Sequence, residues 1–485
     1  MRRTKIIATI GPSSSDEDVL RRMLRAGMDV ARLNFSHGTH ESHKRSVGLI
    51  RRLAAELDTP VAVIADLQGP KVRTGELAGE PLRLKKDGEL VITTRPIKGR
   101  DSIISTTYGH LHKDVAPGDR ILLDDGSMEV RVKKVEGRDI RCRVVWGGVL
   151  GAHKGINLPG VKVSEHAPTR KDLEDARFAA SLGVDYLALS FVRQPDDIAR
   201  LKRYVNRLGA DIPVIAKIEK PEALENIDSI IGVSDGIMIA RGDLGVEMPP
   251  EKVPQIQKDL IARCIEAGKS VITATQMLES MIHQSTPTRA EASDVVNAIY
   301  DGTGAIMLSG ETAIGKYPVN AVRMMARIAE EADTYVAEQQ KKEFRHRQVI
   351  DSFEDAIGQA TQTTSRHLPT RLIVCFTSSG FTALQVSSYR PAVPIIAATH
   401  SCELLPRMNL YWGVQPICIE KASTVDEMVA RVERELLERK MVTAGDSIII
   451  TAGYPLAVPG TTNMMQLVRV RRHAQSKGPT RRKRR

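Results

Sequence analysis

Long apolar runs are missing from this 485-residue sequence: none approaches the roughly 18 residues that a membrane-crossing helix requires. The start, Met1-Arg2-Arg3, is basic, but Thr9 and Pro12 break a very short apolar stretch, so no cleaved signal peptide is expected. Cysteine is scarce. Cys142, Cys264, Cys375, Cys402 and Cys418 are scattered without metal-type spacing, which argues against a disulfide framework or a zinc site and for a reducing, cytoplasmic setting. Acidic residues are absent between Arg469 and Arg485, where nine residues are basic; removing these from the formal net charge of +11 leaves the body at about +2. The basic excess is therefore a property of the tail, 471–485. Its composition predicts a solvated, disordered end, with contact to RNA or another polyanion as the alternative.

What is present is 42% hydrophobic residues and a length sufficient for two to four domains. Eight apolar, strand-like runs, at 5–10, 30–35, 61–67, 186–192, 213–219, 236–240, 270–275 and 305–308, alternate with helical patterns. In one of these, Val253, Ile256, Leu260, Ile261, Cys264 and Ile265 recur at helical period. Eight such units predict an α/β fold, a (β/α)8 TIM barrel, whose chemistry sits at the C-terminal strand ends. Polar residues collect there: Arg32, Asn34, Ser36, Asp66, Lys217, Glu219, Asp243, Thr275 and Ser309. Between the third and fourth runs, Met128, Val130, Val132 and Ile140, Cys142, Val144 alternate around a Glu-Gly-Arg-Asp turn, predicting an inserted antiparallel β-barrel lid. The expected organisation is a catalytic barrel at 1–69 and 166–340, the lid at 70–165, and an open α/β domain at 341–470.

The richest stretch is 213–245, where Lys217-Ile218-Glu219 ends one run and Arg241-Gly242-Asp243-Leu244-Gly245 follows the next. Side chains two apart on a strand share a face, so Lys217 and Glu219 point the same way. Two carboxylates and a lysine suit a Mg2+ ion and a phosphoryl group. Taken alone, they suit a strand-end salt bridge at least as well.

Several segments then resemble one family in the same order: 4–12 (TKIIATIGP), 31–38 (ARLNFSHG), 239–245 (IARGDLG), 274–281 (ATQMLESM), 287–291 (PTRAE) and 308–313 (LSGETA). All are similar to pyruvate kinase, over about 4–470. The resemblance implies phosphoryl transfer from phosphoenolpyruvate to ADP, the last step of glycolysis, in a homotetramer under allosteric control. By it, Glu219 and Asp243 hold Mg2+, for which Mn2+ can substitute. Lys217 lies against the transferring phosphoryl group, and Arg32 takes the phosphate of phosphoenolpyruvate. Backbone N–H groups at Gly242 and Asp243 take its carboxylate. Arg73, Lys154, Asn34 and His37 face the nucleotide, while Thr275 and Ser309 line the face on which the enolate is protonated, a water relay through them being more plausible than direct transfer. Without the family, Arg32 is a barrel-mouth salt bridge and Lys154 an exposed cation.

One departure carries information. Asn34, Ser36, Asp66 and the Leu67 carbonyl match the family's K+ ligands, but Lys71 stands where K+-dependent members have glutamate. A built-in ammonium supplies the charge that K+ supplies elsewhere and opposes its binding, predicting K+-independent catalysis. In the C-terminal region Thr377, Ser378, Ser379, Gly380 and Thr382 follow a strand and match the family's loop for a phosphorylated effector, although such a loop is more often an ordinary helix cap. Two rival readings stand beside this one: a metal-dependent lyase or mutase of a related oxo acid, which needs neither Arg73 nor Lys154, and a non-catalytic barrel with an RNA-binding tail.

Overall fold

The computed structural model describes residues 2–342, 352–455 and 461–471. Most of the expected basic tail, 472–485, lies outside the described residues. The chain divides into two compact units, Thr4–Ala329 and Glu330–Arg485, the latter also taking in Met1–Arg3.

In the first unit the eight apolar runs form eight parallel strands: Lys5–Thr9, Val30–Asn34, Ala62–Leu67, Tyr186–Leu189, Val214–Ile218, Gly236–Ala240, Ser270–Ala274 and Ala305–Leu308. They close into a barrel, the first strand pairing with both the second and the eighth. Nearly every residue of these strands is buried, because helices cover the outside and side chains fill the inside. The first helix, Glu17–Arg25, shows how the sequence writes the helical layer. Asp16 caps it by accepting from the Asp18 and Val19 N–H groups, Glu17 and Asp18 suit its positive end, and Leu20, Met23 and Leu24 form the buried stripe. Helix Val253–Glu266 departs from its expected face. Gln257 is buried while Ile256 and Ile265 are half-buried, because the Gln257 amide accepts from Arg241 and donates to Asp301.

The inserted segment folds around its own core of Leu90, Ile92, Ile121, Val130, Ile140 and Val144. Its hydrogen bonding differs from the closed antiparallel barrel expected. It is an open six-stranded sheet plus a two-stranded one, and Glu89–Thr93 pairs parallel with Ile103–Ser105. The outermost strands have only two and three residues, Ile156–Asn157 and Ile103–Ser105, too little backbone to close a ring.

The second unit is an open five-stranded sheet ordered Val414–Cys418, Ile395–Thr399, Thr370–Phe376, Ser447–Ala452 and Met464–Arg469, with the last strand antiparallel. Two of the cysteines that the sequence scatters meet here: Cys402 and Cys418 are neighbours, with Cα atoms 5.3 Å apart. Thr399 and Cys418 are register partners on neighbouring strands, a proximity that sequence spacing does not reveal. Among the described residues no helix is long and apolar enough to cross a membrane.

Candidate active site

The third barrel strand ends at Asp66-Leu67, and its register sets Asn34 opposite Asp66. The Asp66 carboxylate is buried and takes cations on both oxygens. Arg32 donates to Oδ2 from Nε at 2.7 Å and pairs through Nη2 at 2.6 Å, while Lys217 Nζ stands 3.2 Å from Oδ1. Arg32 also donates to Thr9 Oγ1 at 2.9 Å. Lys217 donates to Ser190 Oγ at 2.6 Å and lies 2.9 Å from Glu219 Oε1. Glu219 Oε2 accepts the Phe191 N–H at 2.8 Å. The alternation expected along the fifth strand is seen, since Lys217 and Glu219 meet on one side.

The formal charges of Arg32, Lys217, Asp66 and Glu219 cancel, which is the condition under which buried charges persist. Burial alone would lower the Lys217 pKa, but Asp66 and Glu219 outweigh it and hold the ammonium above its ordinary range. Burial likewise pushes Asp66 up, and Lys217 and Arg32 overcome it, leaving the carboxylate below its usual range. For Glu219 burial prevails. Its carboxyl is raised despite Lys217, with the charge of Asp243 adding to the rise.

Donor counting sharpens this picture. An ammonium has three N–H groups, and Lys217 has three acceptors around it; Arg32 uses three of its five. Two Arg32 donors remain for a ligand. An incoming anion reaches Lys217 only by displacing Ser190, Asp66 or Glu219.

Lys71 reaches into this mouth from the first lid connection, its Nζ 3.8 Å from Asp243 Oδ1, both side chains about a quarter exposed. Its loop passes close to the barrel at Gly69, where φ is +68° and a Cβ would sit 2.8 Å from the Ser190 carbonyl oxygen. His37 is held below its ordinary pKa by partial desolvation and then by Arg73, Lys71 and Arg32, so these four groups share one cationic region. Arg73 and Lys154 come together through the two strands of the lid neck. Arg73 bridges to Gly155 and donates to the His153 carbonyl at 3.1 Å, and Lys154 O accepts from Thr74. Lys154 Nζ is paired with Asp124 at 2.9 Å.

After the seventh strand Thr275 and Gln276 adopt φ of +70° and +55°, costly for β-branched threonine. Arg241 braces the turn, donating to the Thr275 carbonyl at 3.0 Å while bonded to Asp294 at 2.7 Å. Thr275 Oγ1 accepts the Gly242 N–H at 2.7 Å and donates to the Ala274 carbonyl at 2.6 Å. The Gly242 N–H, expected to receive a substrate carboxylate, is therefore engaged. Ser309 Oγ is sealed from solvent and has no partner among the described residues.

Two of the groups matched to K+ ligands are already engaged within the chain. Asn34 Oδ1 accepts the Ser36 N–H at 3.1 Å, and the Leu67 carbonyl accepts from Ser190 Oγ at 2.7 Å. In the second unit Thr377 Oγ1 accepts the Gly380 N–H at 2.8 Å and Thr382 bonds Thr462 at 2.9 Å. Ser378 and Ser379 line a cavity of about 90 Å³ with His400 and Lys421. The sequence reading missed Ser190, Arg241, Asp294 and Glu311. Ser190 was within reach, being a polar residue just past the end of the fourth strand, and Glu311 lies inside the matched segment 308–313 but was given no role; Asp294 lies on a helix and carries no local signal.

Comparison with known proteins agrees with this architecture. The family model described as pyruvate kinase, barrel domain, matches residues 1–322, and that described as pyruvate kinase, alpha/beta domain, matches 355–468. Proteins named pyruvate kinase from Staphylococcus aureus strains MRSA252 and bovine RF122 / ET3-1 are each 45% identical over 469 residues, covering 96% of this chain and 80% of theirs. With both units matched and the barrel mouth carrying the charged cluster described above, the chain belongs to the pyruvate kinase family, a family of phosphotransferases.

Proposed function

We propose that this protein transfers the phosphoryl group of phosphoenolpyruvate to ADP, giving pyruvate and ATP, with Mg2+ and without a requirement for K+. The observation that carries the reading is the buried Lys217 ammonium held beside Glu219 and Asp66, with Asp243 near enough for its charge to act on both Lys217 and Glu219. Glu219 and Asp243 fit Mg2+, which takes one or two carboxylates and completes its shell with water and substrate oxygens. When bound there, Mg2+ supplies charge neutralisation to the phosphate and carboxylate oxygens of the substrate.

The chain's own groups do the rest. The two free donors of Arg32 orient the phosphate, and Arg32 is preorganised because Asp66 and Thr9 fix its plane. Lys217, released from one acceptor, stabilises charge on the transferring group in a site where that charge is poorly screened. Arg73, His37 and Lys154 face the nucleotide, the lid neck bringing Arg73 and Lys154 to one place. Lys71 supplies the fixed positive charge that makes K+ dispensable. Water relayed through Thr275 and Ser309 supplies the proton that converts the enolate to pyruvate. In the second unit, the cavity with Ser378, Ser379 and Lys421 takes a phosphorylated effector, Thr377 closing the turn that leads into the helix by accepting the Gly380 N–H. We read the protein as a cytoplasmic homotetramer.

Pyruvate formation measured with and without ADP, in K+ and in Na+ buffer, tests the reading. ADP-dependent turnover indifferent to K+ is expected, and Lys217→Met should lower kcat by at least about 10²-fold. Turnover without ADP would return the lyase or mutase reading.

A further inference from the structure

Glu311 is an acid that the proposed mechanism leaves unused. It is fully buried, on the short helix Gly310–Ala313 after the eighth strand. Its Oε2 accepts the Ser309 N–H at 2.7 Å and its Oε1 accepts the Leu278 N–H at 3.0 Å. One carboxylate thus ties the loop bearing Thr275 to the loop bearing Ser309.

The surroundings leave this tie little slack. A Cβ on Gly310 would stand 2.7 Å from Ile282 Cδ1, and one on Gly11 2.6 Å from the Ala313 carbonyl oxygen. Thr312 Oγ1 donates to the Thr9 carbonyl at 2.9 Å, anchoring the helix to the first strand. On the other side Thr275 and Gln276 hold left-handed conformations that need an external brace. Arg241 supplies one from the carbonyl side, and Glu311 supplies another from the N–H side. Burial pushes the Glu311 carboxyl above its ordinary pKa, and the N–H groups of Leu278 and Ser309 oppose that rise. An acid kept buried at such a cost, with no ion-pair partner among the described residues, is suited to aiming N–H groups.

We propose that Glu311 is a positioning residue that fixes the Thr275 and Ser309 hydroxyls relative to each other, so that the enolate left by phosphoryl transfer is protonated on one face only. In that step the C2=C3 π pair takes a proton at C3, the enolate oxygen pair forms the C2=O bond, and water supplies the proton through the two hydroxyls. The inference rests on the pyruvate kinase reading above. It concerns the geometry of protonation rather than the phosphoryl transfer itself.

The test uses phosphoenolpyruvate carrying deuterium stereospecifically at C3, turned over with ADP in tritiated water, followed by analysis of methyl chirality in the pyruvate. The wild type should give one configuration. Glu311→Gln, which keeps the shape but replaces one acceptor by a donor, should give nearly racemic methyl while ADP phosphorylation falls by no more than about tenfold. Glu311→Asp, which keeps both acceptors on a shorter arm, should also lose chirality and serves if the glutamine variant does not fold. Wild-type chirality in the folded variants would overturn the inference, whatever their kcat. Failure of the wild type to phosphorylate ADP would instead bring down the underlying reading, and would be visible before any variant is made.

Discussion

Changing Lys71 to glutamate should turn a K+-indifferent enzyme into a K+-dependent one. At 3.8 Å from Asp243, a unit charge contributes about 4 kcal/mol at an effective dielectric of about 20 and about 1 kcal/mol in bulk water. Both side chains are about a quarter exposed, so screening brings the figure to about 2 kcal/mol. Lys71→Glu replaces attraction by repulsion, a swing of roughly 2–4 kcal/mol, or about 30- to 1,000-fold in rate if it is felt in the transition state. Lys71→Gln, which only deletes the charge, should lose about 30-fold. Initial rates of ADP-dependent pyruvate formation in Na+ and K+ buffers of equal ionic strength measure both. The expected result is a large loss in Na+ that K+ restores by at least about tenfold in the glutamate variant. If that variant kept its activity in Na+, or if the wild type were itself activated many-fold by K+, the charge-substitution argument would be refuted.

Three further outcomes can be checked. Ser190→Ala leaves one Lys217 donor buried without its acceptor, so kcat should fall by about tenfold and stability by about 1–3 kcal/mol, read by steady-state kinetics and denaturant unfolding. Because burial raises the Glu219 pKa, this carboxyl gains its proton at a higher pH than an ordinary glutamate as the solution is acidified, and the protonated form cannot hold a cation. Activity at fixed Mg2+ should therefore rise with pH through the acid range, and raising Mg2+ should move that limb to lower pH; an immobile limb would count against Glu219 as a ligand. Burial pushes the thiols of Cys142, Cys264 and Cys375 up to about 12, so iodoacetamide at pH 8 should label them only after unfolding, as mass spectrometry would show.

The barrel was legible because each of its strands is a short apolar run between helical patterns, and a register that buries both faces needs no alternation. Lys217 and Glu219 were legible because charges two apart at the end of such a run share a face, although only the neighbouring matched segments separated a site from a strand-end salt bridge. Asp294 was not legible, and Glu311, although inside the matched segment 308–313, could not be given a role. Asp294 meets an arginine of another βα unit and Glu311 meets the Leu278 N–H of another as well as its own neighbour Ser309, and nothing within a helix distinguishes an acid turned toward such partners from one turned toward water. Nor could the left-handed turn at Thr275 be foreseen, since it is imposed by Arg241 against the preference of a β-branched residue. The lid strands alternate as expected, but strand pairing over long separations leaves no mark in a local pattern.

The unit to which Arg3 belongs has a consequence for biosynthesis. Its N–H donates to Asp333, its carbonyl accepts from Gly413, its guanidinium bonds the Ala392 carbonyl, and the same group lies 5.6 Å from the Trp412 ring centre. Arg3 leaves the ribosome 330 residues before Asp333, the earliest of these partners. The second unit therefore cannot be completed with Arg3 until the barrel that separates them in sequence has been synthesised, and the segment bearing Arg3 must wait through that synthesis before it finds its place.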